Sequence, residues 1–227
     1  MIFLNFEDEF MISIQEHCCG ADVFFDRKTA KKEYRQYIKK GPSRVTSKII
    51  QQLTNQNIEG KSLIDVGGGI GALQWWFLQM GGAKTTAIDA SSGYLQQAEE
   101  HATENDWDAR ANFIFGDYTV VHTQVVRADY ITLDKVVCCY PNFKEILETS
   151  CHKARTHVAL SYPIDGIISR VITWFGALFA KLKSNSFRPY LHPVNKIREV
   201  FEQQGYERIS HSLAFPWHIE TYRRIKG

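Results

Sequence analysis

From Lys61 onward, short apolar runs alternate with stretches whose apolar positions recur at helical spacing. Lys61–Val66 reads as a buried strand, and the stretch after it places Leu73, Trp76, Phe77 and Met80 on one helix face. Gly81 and Gly82 stop that helix, because glycine accepts the left-handed conformation that closes a helix C-terminus. Thr85–Asp89 is a second strand, after which Ser91 or Ser92 caps a helix reaching Asn105. Asn112–Phe115, Tyr130–Leu133 and His157–Tyr162 read as further strands. Between the last two lies a helix capped by Asn142 and carrying Phe143, Ile146 and Leu147. Val194–Gln204 is a helix, and two β-type runs follow, Arg208–Phe215 and His218–Arg224, with only Pro216 and Trp217 between them.

Such alternation predicts a mostly parallel sheet covered by helices on both faces. The last two runs are joined too closely for a crossover, so they predict an antiparallel edge. The expected fold class is therefore α/β, with a mostly parallel seven-stranded sheet, an antiparallel edge strand, a helical N-terminal cap and a helical insertion after the fifth strand. All 227 residues read as one domain: a cap over 1–43, a cofactor-binding core over 44–162, a lid insertion over 163–193, and a C-terminal helix and strand pair over 194–227.

Two segments stand outside the alternation. Arg27–Lys40 reads as an amphipathic helix with Ala30, Tyr34, Tyr37 and Ile38 on one face and Lys28, Lys32, Arg35 and Lys39 on another. It is either a solvated basic face over a packing face, or a cap that shows positive charge to an acidic substrate. Ile167–Lys183 reads as an apolar helix with Val171, Trp174, Phe175, Leu178 and Phe179. As a lid it suits a greasy substrate; a homodimer contact and a peripheral membrane contact are its alternatives.

Composition narrows the class only a little. Charges nearly balance, 27 basic against 25 acidic for a net +2, so the whole chain lacks the footprint of a nucleic-acid binder. Five cysteines is an odd number without framework spacing, which reads as free thiols in a reducing compartment. The N-terminal run MIFLNFEDEFMI carries acids and no basic lead, unlike a secretory signal. Val171–Ala180 reaches about half of the ~20 residues of a membrane span. These features predict a cytoplasmic protein. His17, Cys18, Cys19, Cys138, Cys139, Cys151 and His152 lack the spaced pairs of a zinc site, so no metal is expected.

The densest chemistry lies in SLIDVGGGIGAL, residues 62–73. A strand runs into Gly67, Gly69 and Gly71, and a helix begins at once; glycines there let backbone turn tightly and a ligand approach closely. Gly67, Gly69 and Ala72 also satisfy the dinucleotide pattern, which keeps a nicotinamide oxidoreductase as an alternative. Asp65 argues against it. An acid at this strand end suits a ligand with a cation, such as the ammonium of a methionine moiety, and would repel a pyrophosphate. Asp89 ends the next strand, where a carboxylate accepts from both ribose hydroxyls. Asp117 ends the third, where one can accept from an adenine amino group.

The layout of DVGGGIG, AIDAS, FGDY and ADYITLDKVVCCYP resembles class I S-adenosylmethionine-dependent methyltransferases over residues 44–225. Within them it is most similar to the magnesium-protoporphyrin O-methyltransferase type, a likeness that includes CCGAD, YIKKGPSRVT and CCYP. The resemblance implies a Rossmann-like sheet and S-adenosylmethionine as cofactor. It implies Asp65, Gly67, Gly69 and Gly71 at the methionine end, Asp89 with Ala90 at the ribose, and Asp117 with Tyr118 at the adenine. It also implies a carboxylate acceptor, methylated at oxygen; the apolar 167–183 segment and the basic N-terminal helix suit a small, apolar molecule bearing an acidic group.

Methyl transfer from a sulfonium is an in-line displacement, which positioning alone can accelerate, and a carboxylate acceptor needs no base. Asp134 and Tyr140, on the lip after the fourth strand, are the first candidates for acceptor contact. His192, beside Arg188 and Tyr190, is the best placed of the candidate bases, ahead of His122 and His152. LDKVVCCYP lacks the Asn/Asp-Pro-Pro-aromatic tetrad of amino-group methyltransferases, which speaks against DNA adenine or protein glutamine as substrate. A non-catalytic protein that binds the same cofactor is the remaining alternative.

Overall fold

The computed structural model describes residues 20–165 and 189–225. Two helices, α1 (Arg27–Lys40) and α2 (Arg44–Thr54), precede a sheet whose strands are β1 (Ser62–Val66), β2 (Lys84–Asp89), β3 (Ala111–Phe115), β4 (Ala128–Asp134), β5 (Ala154–Pro163), β6 (Tyr206–Ala214) and β7 (Trp217–Arg224). The connections are α3 (Ala72–Gln79), α4 (Ser92–Glu104), the single turn α5 (Tyr118–Val121), α6 (Phe143–Lys153) and α7 (Val194–Gln203). The strand order is β3-β2-β1-β4-β5-β7-β6. Only β7 runs antiparallel to its neighbours, inserted between β5 and β6. The Phe215–Pro216 bond between β6 and β7 is cis. The sheet is thus Rossmann-like and seven-stranded, and its antiparallel pair forms one side. No helix among the described residues is long and apolar enough to cross a membrane.

Central strands are buried on both faces, which is why they read as continuous apolar runs. Ile64, Ile131, Leu133, Val158 and Leu160 face α6 and α7, where Ile146, Leu147, Ile197 and Phe201 complete one core. Leu63, Tyr130, Ala159 and Ile219 face the other way, onto Ile49, Leu53, Leu73 and Phe77.

A third cluster seats α1 on α3 and α4. Ala30, Trp75, Tyr94 and Ala98 are buried there, with Phe25, Tyr34 and Tyr37 against them. The segment entering α1 is tied to the start of α4: the Ser91 hydroxyl donates to the Phe25 carbonyl at 2.6 Å, and the Ser92 amide to Asp22 Oδ1 at 2.7 Å. Gly93 is required at this crossing, because a Cβ would lie 2.5 Å from the Arg27 nitrogen.

Two face assignments made from periodicity need correcting. Met80 is 45% exposed, whereas Trp76 packs with Leu73 and Phe77 as the periodicity predicts, and the fully buried Trp75 lies on another side. The helix packs on the sheet with Leu73 and Phe77 and on α1 with Trp75, so a one-face pattern misses Trp75. Ile38 is 58% exposed, because the packing face of α1 is the row Ala30, Tyr34, Tyr37 and Ile38 lies one step around it. The 167–183 segment falls outside the described residues.

Candidate functional site

A cavity of about 740 Å³ opens at the carboxyl ends of β1, β2 and β4. The sheet places it there: β2 and β3 lie to one side of β1, β4 and β5 to the other, and ligands of open α/β sheets occupy such a switch point. Its floor is the turn from β1 into α3. Gly67 and Gly69 hold positive φ angles of 60° and 56°, and a Cβ on Gly67 would meet Val136 Cγ2 at 2.4 Å. The loop therefore presents bare backbone to the cavity, and Gly71 opens α3 with no side-chain cap over its first amides.

Asp65 lies beneath this loop, 1% exposed, and lines the cavity. Thr132 donates to its Oδ1 at 2.6 Å, while Oδ2 has no partner among the described residues. Burial, with Asp134 and Asp89 nearby adding repulsion, pushes its pKa up to about 7. Asp89 is held by backbone: Gly69 N–H donates to Oδ2 at 2.9 Å and Ser91 N–H to Oδ1 at 2.8 Å. Burial outweighs these two bonds and raises its pKa to about 6. Ala90 lines the cavity beside it.

Asp117 stands behind the cavity wall, whose nearest lining residue is Gly116. Its Oδ1 caps α5 by accepting from Thr119 N–H and hydroxyl, each at 2.9 Å, and accepts from Tyr140 hydroxyl at 3.0 Å. Its Oδ2 is buried without a partner among the described residues. Tyr118 is not brought to the cavity. As the first residue after the cap it turns into the core with Val121, Ile146 and Leu147, 1% exposed, which corrects its placement against a ligand.

On the opposite lip, Asp134 and Tyr140 both line the cavity, and both are tied to other elements. Asp134 accepts from Ser161 at 2.7 Å and from Thr46 at 2.6 Å, which joins the ends of β4 and β5 to the first turn of α2. Tyr140 bridges to Asp117 through its hydroxyl, and its carbonyl accepts from His192 Nε2 at 2.9 Å. His192 therefore does not face the cavity. Its ring packs 4.6 Å from Phe143, burial lowers its pKa, and with the Tyr190 N–H bond to the Cys138 carbonyl at 2.6 Å it fastens residues 189–193 to the lip.

Residues 63–157 match the family described as "Methyltransferase domain". That stretch, less than half of the chain, is what is similar to methyltransferase domains. Its structure resembles magnesium protoporphyrin IX methyltransferase from Synechocystis PCC 6803 with bound SAH, with a TM-score of 0.69 and 18% identity, over 90% of this chain and 98% of that one. It also resembles an O-methyltransferase family protein from Burkholderia thailandensis, with a TM-score of 0.63 and 15% identity over 85% of this chain and 60% of that one. In sequence it is similar to a tRNA1(Val) (adenine(37)-N6)-methyltransferase from Shewanella woodyi, 22% identical over 142 residues. That match takes in 61% of this chain and spans 58% of the length of that relative.

The cavity also takes in residues not named above as site candidates. Tyr37, Gln36, Glu33 and Lys40 of α1, Arg44 of α2, Lys135 after β4 and Trp217 of β7 all line the cavity. The quoted stretches hold some of them: YIKKGPSRVT covers Tyr37, Lys40 and Arg44, and LDKVVCCYP contains Lys135. Lys135 holds a left-handed φ of 62°, and its carbonyl receives the Cys138 and Cys139 thiols at 3.4 and 3.5 Å. Those two cysteines thus brace a loop. Cys151 is buried and its pKa is pushed up to about 12. His17, Cys18 and Cys19 lie outside the described residues. His211, His218 and Glu220 come close enough to share a cation, but their other partners oppose it. Glu220 already accepts from Arg198, Arg208, Tyr162 and Tyr222, and two guanidinium groups repel a metal ion.

Proposed function

We propose that this domain binds S-adenosylmethionine and methylates an oxygen atom of a small, largely apolar acceptor that carries an acidic group. The carrying observation is the cavity's polarity. Asp65 and Asp89 lie at its glycine end, whereas Lys40, Arg44 and Lys135 lie at its mouth among Tyr37, Tyr140 and Trp217. The unpartnered Asp65 oxygen suits an ammonium, and Gly67, Gly68 and Gly69 line the cavity without side chains. Asp89, with Ala90, would hold the ribose: each carboxylate oxygen accepts one amide and keeps a lone pair free. Asp117, next to the lining residue Gly116, has a buried Oδ2 without a partner among the described residues, an acceptor of the kind an adenine amino group needs. A volume of about 740 Å³ lies in the upper half of the range for small-molecule sites, about 300–1,000 Å³, and leaves space for an acceptor.

When bound, S-adenosylmethionine supplies a methyl group on a positively charged sulfur, whose carbon–sulfur bond breaks as the acceptor oxygen attacks. The protein's part is to hold that oxygen in line. Asp134 and Tyr140 shape the lip, their polar groups fixed by Thr46, Ser161 and Asp117. Lys40 and Arg44, which have no ion-pair partner among the described residues, would orient an acidic group at the mouth. His192 acts through the Tyr140 carbonyl, as a positioning residue.

Calorimetry with S-adenosylmethionine, S-adenosylhomocysteine and NAD tests the first half. The expected result is binding of the first two and not of NAD; the reverse would sink the assignment. Turnover with methyl-labelled cofactor tests the second half. Magnesium protoporphyrin IX, for which one structural relative is named, is the first acceptor to try, followed by cell extract. Label on nitrogen, carbon or sulfur, rather than in an ester or ether, would overturn the oxygen assignment, and label in RNA would overturn the small acceptor.

A further inference from the structure

We propose that α1 docks the protein on an anionic lipid surface, its lysine-rich outer face against the headgroups and the cavity mouth at its edge. At 100° per residue, α1 divides into three faces. Ala30, Tyr34 and Tyr37 pack on the core. Glu33, Gln36 and Lys40 line the cavity. The third face holds Lys28, Lys31, Lys32, Arg35 and Lys39, all exposed. These five turn through roughly 100° of arc along about 17 Å of helix.

The charge on this face is not cancelled locally. None of the five has an ion-pair partner among the described residues, while the nearby acids are engaged elsewhere. Glu100 pairs with Arg27 at 2.8 Å, Asp26 caps α1 through Thr29, and Glu104 faces Tyr34 and His101. The whole chain carries only +2, so this is a concentration of charge in one place.

Exposed apolar side chains flank the cations. Val23, 72% exposed, precedes the helix, and Ile38, 58% exposed, borders Lys31 and Arg35. Lysines beside protruding apolar groups suit a lipid interface, where the cations meet headgroups and the apolar groups enter the acyl boundary. A nucleic acid is the poorer fit. Four of the five cations are lysines without a bidentate fork, and Tyr34 and Tyr37 are turned into the core, away from any base to be stacked. Gln36 and Lys40 border both the cavity and the basic face, so docking sets the mouth beside the membrane. On the proposed function, an apolar acceptor dissolved in the bilayer would then reach the site without crossing water. The docking itself is read without cofactor or acceptor, so it can fail independently of that function.

The test is co-sedimentation of the full chain with phosphatidylserine–phosphatidylcholine vesicles and with phosphatidylcholine vesicles. The expected result is binding to the first, weakening as salt rises, and little to the second. Each cation near such a surface contributes roughly fivefold, so the exposed triple variant Lys31→Gln, Lys32→Gln, Arg35→Gln should bind roughly a hundredfold more weakly. Its melting temperature should match wild type. Ile38→Ser should weaken binding several-fold with the salt dependence unchanged. Equal partition to both vesicle types, or a triple variant that binds like wild type, would overturn the proposal. So would unfractionated tRNA bound more tightly than the anionic vesicles and lost in the same variant, which would give the face to nucleic acid.

Discussion

The two ends of the cavity are built from different materials. At the glycine end, charged groups are fixed by the sheet: Asp65 by Thr132, and Asp89 by the amides of Gly69 and Ser91. At the mouth, Lys40 and Arg44 project from the cap helices and are exposed. Backbone amides in a strand-to-helix turn cannot move without unfolding the turn, whereas an exposed lysine can be exchanged at little cost. The glycine end thus serves one invariant ligand, and the mouth can be fitted to an acceptor.

The sharpest attempt to break this comparison is Gly67→Ala. The positive φ and the 2.4 Å approach to Val136 Cγ2 each imply a cost of about 1–3 kcal/mol. The expected outcome is loss of measurable S-adenosylmethionine binding by calorimetry and a lower melting temperature. Affinity within a few-fold of wild type would show that the turn is not the cradle. Next in size is Asp89→Ala. Loss of charge-assisted bonds worth about 1.5–3 kcal/mol should weaken cofactor binding ten- to a hundredfold in a folded protein. Unchanged affinity would refute the ribose role.

The same contrast explains what could be read from the chain. The glycine end is local: Asp65, Gly67, Gly69 and Gly71 lie within seven residues, Asp89 ends β2, and Asp117 follows β3 by two residues. Strand ends and tight turns leave direct marks in sequence. The mouth is assembled by tertiary folding from α1, α2, the loop after β4, Pro189 and Trp217, so no window of sequence contains it. Tyr118 shows the limit within a motif: adjacency to Asp117 says nothing about direction once the chain enters α5 and the ring turns to the core. His192 shows another, since sequence cannot reveal that its ring nitrogen is engaged by the Tyr140 carbonyl.

A smaller effect separates Asp65 from Asp89 by pH. A carboxyl whose folded pKa is raised keeps its proton longer in the folded protein than in the unfolded chain. Its contribution to the stability of the free protein is therefore full below about 3.8 and is lost as pH rises through about 7. A ligand ammonium needs the ionised form. Apparent cofactor affinity should then rise roughly tenfold from pH 6 to pH 8, following the ionised fraction. In Asp65→Asn the slope between pH 7 and 8 should vanish. A flat wild-type profile would show that the ammonium does not sit at Asp65. At the mouth, Lys40→Ala and Arg44→Ala should each raise acceptor KM about two- to fivefold and leave cofactor affinity unchanged, because exposed charges are worth about 0.2–1 kcal/mol.

The smallest effect discriminates best, because its two readouts move in opposite directions. Lys135 is a cavity residue in the left-handed region, at φ 62°, where its Cβ costs about 1–2 kcal/mol and glycine would be at ease. The loop holds it there through the Ser161 hydroxyl, which accepts from its N–H at 2.8 Å, and through the Cys138 and Cys139 thiols at its carbonyl. Lys135→Gly relieves that strain but adds about 0.5–1 kcal/mol of unfolded-state entropy, for a net gain of about 0.5 kcal/mol. Thermal melting should therefore rise by roughly 1–2 °C. Turnover should fall several-fold, because the ammonium that accompanies Asp134 at 3.6 Å is gone from the lip. A loop serving only the fold would show the stability gain without the loss. If Lys135→Gly melts higher and turns over at the wild-type rate, the strained lysine is no part of acceptor binding, and the positive mouth rests on Lys40 and Arg44 alone.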